Sequence, residues 1–232
     1  MPRPPTERPS LGRPLLLVNL KAYPGALGPG AERLARLLEE LGTAARVAVA
    51  VAPAAPDLGR VAASVSMPVI AQHVDAVDPG AHTGFVPPEA VAQAGGWGSL
   101  VNHSEHPLST SVVAATVERL HDRGLVSVVC AGDVRAARRL AAFRPDYLAI
   151  EPPELIGGNR SVSTARPEVV RSTVDAVRKI SPSTIVLCGA GVHARGDVAR
   201  AIELGAEGVL VASAVTRSGD PRVAIGELLA GF

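Results

Sequence analysis

The chain has 232 residues, of which 47% are apolar and 19% are charged, and its formal net charge is +1 at pH 7. A chain of this size and hydrophobicity can bury a large core, either as one α/β barrel or as two small domains. Aromatic residues make up only 3% of it, and basic and acidic residues are interleaved, so we expect no nucleic-acid partner. No apolar run approaches the ~18 residues that a membrane helix needs, so we expect no membrane partner either.

The first residues, MPRPPTERPSLGRP, are rich in proline and polar side chains and contain no apolar signal-peptide core. We therefore interpret residues 1–14 as a flexible N-terminal extension and residues 15–232 as a single domain. The two cysteines, Cys130 and Cys188, each end an apolar run. That position is typical of buried free thiols in a reducing cytosol, and we expect a cytoplasmic protein.

Short apolar runs rich in β-branched residues recur along the domain. They cover residues 15–21, 47–53, 69–75, 99–103, 126–130, 147–151, 184–189 and 208–213. Near-continuous apolar runs of this kind are typical of strands covered on both faces of a parallel sheet. No Gly-x-Gly-x-x-Gly motif follows the first run, which disfavours a dinucleotide-binding fold.

Segments of helical periodicity lie between most of these runs. In PGAERLARLLEELG (29–42), leucines recur on one face, and Gly42 stands where a C-terminal cap belongs. Similar segments end before Gly124 and Gly205, and in another Pro167 suits a first helical turn. This alternation predicts an α/β fold, a single closed (β/α)8 barrel, with an open doubly wound sheet as the alternative.

Reactive side chains stand where these strands should end. Asn19 and Lys21 end the first run and, at a period of two, point to the same face. His103 ends the fourth run and Glu151 ends the sixth. Because the active site of a (β/α)8 barrel lies at the C-terminal ends of its strands, we expect these four side chains to converge at one mouth.

The last two runs end in backbone suited to binding an anion. They finish in Gly189-Ala190-Gly191 and in Ala212-Ser213, and the loops after strands 7 and 8 are the usual phosphate site of such barrels. Glycine lets the backbone approach closely, and N–H groups bind the dianion. A tight turn without a ligand is the alternative interpretation of the two glycines.

This set of groups suits proton abstraction next to a carbonyl in a small phosphorylated sugar. A desolvated Glu151 would act as the base. His103 would polarise the carbonyl by donating a hydrogen bond, and Lys21 would offset charge on the oxyanion. A metal site from His73, Asp75 and His82 is disfavoured, since the spacing matches no zinc pattern, and we expect no metal.

Several motifs, in order, resemble the triosephosphate isomerase family and most of all its short archaeal-type branch. They are NLK (19–21), NHSE (102–105), AIEPPELIG (149–157), LCGAGV (187–192) and LVASAVT (210–216), with further likeness at 71–75 and 80–84. The resemblance extends over residues 15–232. It implies a glycolytic aldose–ketose isomerase that interconverts dihydroxyacetone phosphate and glyceraldehyde 3-phosphate through an enediol, with no cofactor.

The resemblance also implies the catalytic set. Lys21 would be the electrostatic residue with Asn19 beside it, His103 the electrophile and Glu151 the base. Glu105 would hold Lys21 in place.

Binding and assembly residues follow from the same resemblance. The phosphate would be held by the backbone of Gly157, Gly189, Gly191, Ala212 and Ser213. A lid would extend from Pro152 to Ser161, with Leu155 and Ile156 covering the carboxylate. A loop carrying Thr83 would pack into a neighbouring subunit of a homo-oligomer, a dimer or a tetramer.

Three positions depart from the family pattern. The lid has Gly157-Gly158-Asn159-Arg160 where the archaeal-type pattern has Gly-Thr-Gly, His106-Pro107 follows NHSE, and Phe85 replaces a polar residue. The altered lid leaves open an isomerase of a larger ketose, such as a tetrulose phosphate, or a non-catalytic binder of phosphorylated ligands.

Two further alternatives concern single residues. Lys21 could serve as the nucleophile of a Schiff-base aldolase. Glu154, on the lid, is an alternative to Glu151 as the acid–base group, although the strand ends at residue 151.

Overall fold

A computed structural model describes residues 9–158 and 160–232, and a sheet of parallel strands forms its centre. The strands are β1 (Leu15–Asn19), β2 (Ala48–Ala52), β3 (Gly98–Val101), β4 (Val126–Ala131), β5 (Tyr147–Ile150), β6 (Ile185–Cys188) and β7 (Gly208–Val211). Their order in the sheet is β2-β1-β7-β6-β5-β4-β3. Each of these strands overlaps one of the predicted apolar runs, and β3 and β4 each extend one residue beyond theirs.

The remaining run, at 69–75, closes the sheet into a barrel through residues 69–71. Val69 pairs with Val51 of β2 and Ala71 pairs with Ser99 of β3, both in parallel and as isolated bridges. The third predicted strand is therefore shorter than its run, yet it fills the gap between the two edge strands. The predicted (β/α)8 barrel is confirmed, and the open sheet is not.

Helices connect the strands and surround the barrel. They are α1 (Pro29–Ala45), α2 (Leu58–Ala62), α3 (Pro88–Gln93), α4 (Thr110–Asp122), α5 (Val134–Ala141), α6 (Val162–Ala165), α7 (Pro167–Ile180), α8 (Arg195–Glu203), α9 (Ser213–Thr216) and α10 (Pro221–Leu229). Short 3-10 helices occupy Pro24–Ala26, Ala55–Asp57 and Pro153–Leu155. Within the described part of the chain, no helix has the length and apolar content needed to cross a bilayer.

The predicted cap of α1 at Gly42 is wrong. The helix continues to Ala45, and Arg46 forms the left-handed cap at φ 58°. Gly42 serves packing instead, because a Cβ there would overlap Cγ1 of Val49 on β2. The prediction for α7 is confirmed, with Pro167 in its first turn.

Side chains alternate along each strand between two layers of the core. Leu17 of β1 and Ala149 of β5 point into the barrel, whereas their sequence neighbours pack against the helices. Two residues further on, the same alternation reaches Asn19 and Glu151. The inward register of the strands thus leads to the C-terminal mouth of the barrel.

Residues 9–14 pack against the opposite end of the barrel. Leu11 is only 2% exposed and belongs to the interior cluster. The Tyr147 hydroxyl donates a hydrogen bond to the Gly12 carbonyl at 3.2 Å and lies 3.2 Å from the Ser10 hydroxyl. Residues 1–8 lie outside the described residues, and the predicted boundary between residues 14 and 15 stays a prediction.

Replacing Gly42 by alanine should destabilise the fold, because overpacking against Val49 costs about 1–3 kcal/mol. The matched control is Gly226→Ala in α10, where the added Cβ would have no atom within 4 Å beyond its chain neighbours and its own helix backbone. There alanine should stabilise the helix by about 0.5–1 kcal/mol. Urea unfolding should show the two variants shifting in opposite directions, and a stabilised Gly42→Ala variant would contradict the packing argument.

Candidate active site

A cleft opens at the C-terminal end of the barrel. Residues from far-apart parts of the chain line it, and among them are the candidates Asn19, Lys21, His103, Glu151, Gly157, Gly191, Ala212 and Ser213. Gly189 lies directly behind Glu151, and Glu105 contacts Lys21 from the rim. Thr83 does not line the cleft and is exposed on a separate loop.

Glu151 is the buried carboxylate of the cleft. It follows the last residue of β5 and is 6% exposed. Burial raises its pKa above the usual range, while His103, a hydrogen bond from the Cys130 thiol and the charge of Lys21 oppose that rise. Its Oε2 is buried and has no hydrogen-bond partner among the described residues. A carboxylate in this state is poised to accept a proton.

Gly189 makes room for that carboxylate. A Cβ at this position would overlap Cγ of Glu151. The Gly189 N–H donates to the Ile150 carbonyl at 3.0 Å, which continues the pairing of β5 and β6 beyond the strand ends. The Glu151 side chain therefore lies against the backbone just beyond the end of β6.

His103 reaches the cleft through a turn at Asn102, whose φ is 62°. The Asn102 amide donates to the Cys130 carbonyl at 2.9 Å, which fixes the turn. The Glu105 backbone N–H donates to Nδ1 of His103 at 3.1 Å. Since an accepting ring nitrogen carries no proton, the proton of the neutral ring is on Nε2.

Nε2 of His103 and Oε2 of Glu151 are 3.8 Å apart. This separation exceeds hydrogen-bond distance, so the two atoms face each other without bonding. The imidazole donor and the carboxylate acceptor thus flank a common space in the cleft.

Lys21 is held in a left-handed backbone conformation, with φ 52°. Such a conformation costs a non-glycine residue on the order of 1–3 kcal/mol. The Asn19 side chain accepts from the Lys21 N–H at 2.9 Å, and the Gln72 amide donates to the Lys21 and Ala52 carbonyls, each at 3.0 Å. At the other end, the ammonium lies 2.7 Å from Oε1 of Glu105.

The lid, residues 152–161, follows Glu151 directly. Ile156 lines the cleft as expected, but Leu155 packs against the helix-side core and does not line the cleft. Glu154 is exposed and pairs with Arg166 on its outer side, which leaves it outside the cleft. Asn159 lies outside the described residues.

Two residues that the sequence analysis gave no role contact the candidates. Cys130 was interpreted only as a buried free thiol, which is confirmed. Its thiol also donates a hydrogen bond to the Glu151 carboxylate. Burial of the thiol, and after it the negative charge of Glu151, raise the pKa of the thiol well above its usual range. The inward register of β4 beside β5 is a signal that could have identified Cys130. Gln72 is identified only by its contacts with the Lys21 backbone.

No group of three or more His, Cys, Asp or Glu residues within 9–158 and 160–232 is arranged to hold a metal ion. His73 lies 3.2 Å from Asp75 and stacks on His106 at 3.9 Å between ring centroids. His82 instead lies against Phe85.

The chain is similar to known proteins over nearly its whole length. The family model for triosephosphate isomerase matches residues 14–226. The triosephosphate isomerase of Methanothermus fervidus is 43% identical over 219 residues, which cover 94% of this chain and 99% of that protein. That of Methanosarcina acetivorans is 41% identical with the same coverage. That of Caldivirga maquilingensis is 45% identical over 215 residues, which cover 93% of this chain and 96% of that protein.

Replacing Glu151 by Gln should stabilise the fold at neutral pH. Because burial raises the folded-state pKa of this carboxyl, the folded protein binds its proton more tightly than the unfolded chain does. In the native protein, the stabilisation that this proton gives is complete below the unfolded-state pKa of about 4.3. It is lost as pH rises through the folded-state pKa. The amide imitates the protonated carboxyl at every pH, so the gain should be small at about pH 4 and larger at about pH 8.

Urea unfolding at the two pH values measures this gain. The control is Glu118→Gln on the exposed face of α4, for which the difference between pH values should stay small. A Glu151→Gln protein less stable than the native one at the higher pH would contradict the burial argument.

Proposed function

The chain belongs to the triosephosphate isomerase family, and on that basis we propose that it interconverts dihydroxyacetone phosphate and glyceraldehyde 3-phosphate through an enediol. The observation that carries this proposal is the buried Glu151 carboxylate facing the imidazole of His103 across 3.8 Å at the barrel mouth. An acid–base pair in this position serves proton transfer between neighbouring carbons. The substrate would be a small phosphorylated sugar.

Glu151 would act as the base. Its Oε2 has no hydrogen-bond partner in the part of the chain that the structure describes and faces Nε2 of His103, and its raised pKa strengthens it as a proton acceptor. The carboxylate would take a proton from one carbon and return it to the neighbouring carbon. Positioned acid–base groups of this kind contribute about 10²- to 10⁴-fold to rate.

His103 and Lys21 would stabilise the charge that develops on the substrate oxygen. The Nε2–H of His103 is free to donate because Nδ1 is already bonded to the Glu105 N–H. The Lys21 ammonium is fixed by Glu105, and Asn19 holds its backbone. Donors fixed before the reaction need no reorganisation as the oxyanion forms.

The phosphate would bind to the backbone of the loops that follow β5, β6 and β7. Gly157, Gly191, Ala212 and Ser213 line the cleft, and Gly189 precedes Gly191 in the same loop. Gly191 has φ 69° and follows Ala190 at φ 67°. Two successive residues with left-handed φ values make the backbone turn sharply at this point. Concave backbone of this type binds anions through N–H groups.

The alternatives receive less support from the site. A Schiff-base aldolase needs a neutral amine, whereas the Lys21 ammonium forms a 2.7 Å ion pair with Glu105. Glu154 pairs with Arg166 away from the cleft and is a poor candidate for the base. A larger ketose phosphate as substrate depends on how the lid closes, and comparison of kcat/KM for triose and tetrulose phosphates would distinguish the two isomerases.

A coupled assay on glyceraldehyde 3-phosphate tests the base directly. Glu151→Gln should lower kcat about 10²- to 10⁴-fold with little change in KM, because the amide keeps the shape but accepts no proton. Glu154→Gln is the matched control on the same segment and should stay within about tenfold of the native rate. Equal turnover by the native protein and Glu151→Gln would refute the assignment, and an inactive native protein would refute the function.

We also propose that the protein is a cytoplasmic homo-oligomer. Phe85 is 52% exposed on the loop at 77–86 that also carries Thr83. Arg119 of α4 holds the start of this loop through Asp78 at 3.0 Å. An exposed aromatic on an anchored, projecting loop suits contact with a second copy of the chain, and the buried free thiols suit a reducing compartment.

Placing a charge on that loop should weaken the assembly. Phe85→Asp should lower the molar mass measured by light scattering after gel filtration, because an interface tolerates an unpaired carboxylate poorly. Val223→Asp is the control, since Val223 is 61% exposed on α10, away from this loop. An unchanged mass for Phe85→Asp, or an equal loss for both variants, would contradict the predicted interface.

A further inference from the structure

His193 joins the lid to the loop that follows β6. Its Nε2 lies 2.7 Å from the Gly158 carbonyl oxygen, and its side chain also lines the cleft. A carbonyl oxygen can only accept, so Nε2 carries the proton and donates. None of the catalytic or phosphate-binding assignments above includes His193.

The backbone of His193 is itself fixed. Asp197 accepts from the N–H groups of His193 and Ala194, at 3.0 and 3.2 Å. The other oxygen of Asp197 accepts from the Thr164 hydroxyl at 3.1 Å, and the Ser163 hydroxyl donates to the Asp197 carbonyl at 2.9 Å. One carboxylate therefore connects the loop after β6 to the helix that follows the lid.

Two further contacts join the same pair of segments. The Val162 N–H donates to the Ala190 carbonyl at 3.1 Å. Gly191 lies so close to the Arg160 carbonyl that a Cβ at 191 would overlap it. These contacts involve backbone alone, whereas His193 contributes the side-chain hydrogen bond to the lid.

We propose that His193 is a positioning residue that latches the lid over the cleft through the hydrogen bond from Nε2 to the Gly158 carbonyl. The lid is thereby tied at Gly158 to the loop that carries Gly189 and Gly191. This inference rests on the proposed isomerase function for its kinetic consequence, but the latch itself is a property of the fold.

The kinetic test compares His193→Ala with His193→Gln. A closed lid keeps water from the enediolate and prevents elimination of its phosphate. His193→Ala should therefore lower kcat/KM about three- to tenfold, the effect of losing one hydrogen bond, and should raise the inorganic phosphate released per isomerisation. His193→Gln retains an amide donor of similar reach and should restore both quantities to within about twofold of the native values.

A second readout does not depend on activity. Amide hydrogen exchange of the lid should be faster in His193→Ala than in the native protein and should return towards the native rate in His193→Gln. Arg195→Ala is the matched control, because Arg195 is exposed at the start of α8 on the same connection and should leave lid exchange and turnover unchanged.

The outcomes separate the latch from the function. Unchanged lid exchange and unchanged phosphate release in His193→Ala would overturn the latch, whatever the activity. A His193→Gln protein as impaired as His193→Ala would also overturn it, since the donor would then not be the relevant feature. A native protein without isomerase activity, but with lid exchange that depends on His193, would support the latch and refute the proposed function.

Discussion

Parallel pairing around a closed barrel determines where every group of the cleft lies. The partner of Asn19 across the β1–β2 pair is Ala52, and that of Ile150 across the β5–β6 pair is Cys188. The strands therefore end nearly level with one another, and the side chains just beyond them share one mouth. A slip of one residue in β5 would turn Glu151 towards the helices, so register governs the chemistry more strictly than any single contact.

Burial of the Glu151 carboxylate sets the conditions that its neighbours must meet. The group is kept from water, and His103, the Cys130 thiol and the charge of Lys21 compensate this burial in part. Gly189 offers no side chain that could push it aside, and Gln72 and Asn19 hold Lys21 in a costly conformation nearby. Strain and desolvation concentrate at the mouth, while the barrel interior below it is apolar and well packed. This distribution is common where reactivity is retained at the expense of stability.

The sequence predicts the barrel and the convergence of its polar strand ends because both depend on short-range periodicity. A period of two suffices to put Asn19 and Lys21 on one face, and apolar runs suffice to locate β1 to β7. Gly42 shows a limit, since a glycine that caps a helix and one that admits a neighbouring strand are indistinguishable in sequence. Leu155 shows another, because a 3-10 turn at Pro153–Leu155 alters which side chain faces the cleft. Gln72 and His193 act on carbonyl groups far along the chain, and no local pattern encodes such contacts.

The buried position of Leu11 at the far end of the barrel affects how the sequence of this chain can change in evolution. Tyr147 meets the segment before β1, and Glu151 lies four residues further along the same β5 direction, about 13 Å away at the usual strand rise. The segment around Leu11 at one end and the reacting groups at the other therefore lie along one strand but do not contact each other. Substitutions around Leu11 that adapt the protein to heat can leave turnover unaltered. Thermal stability and catalytic rate can therefore evolve at separate ends of the barrel.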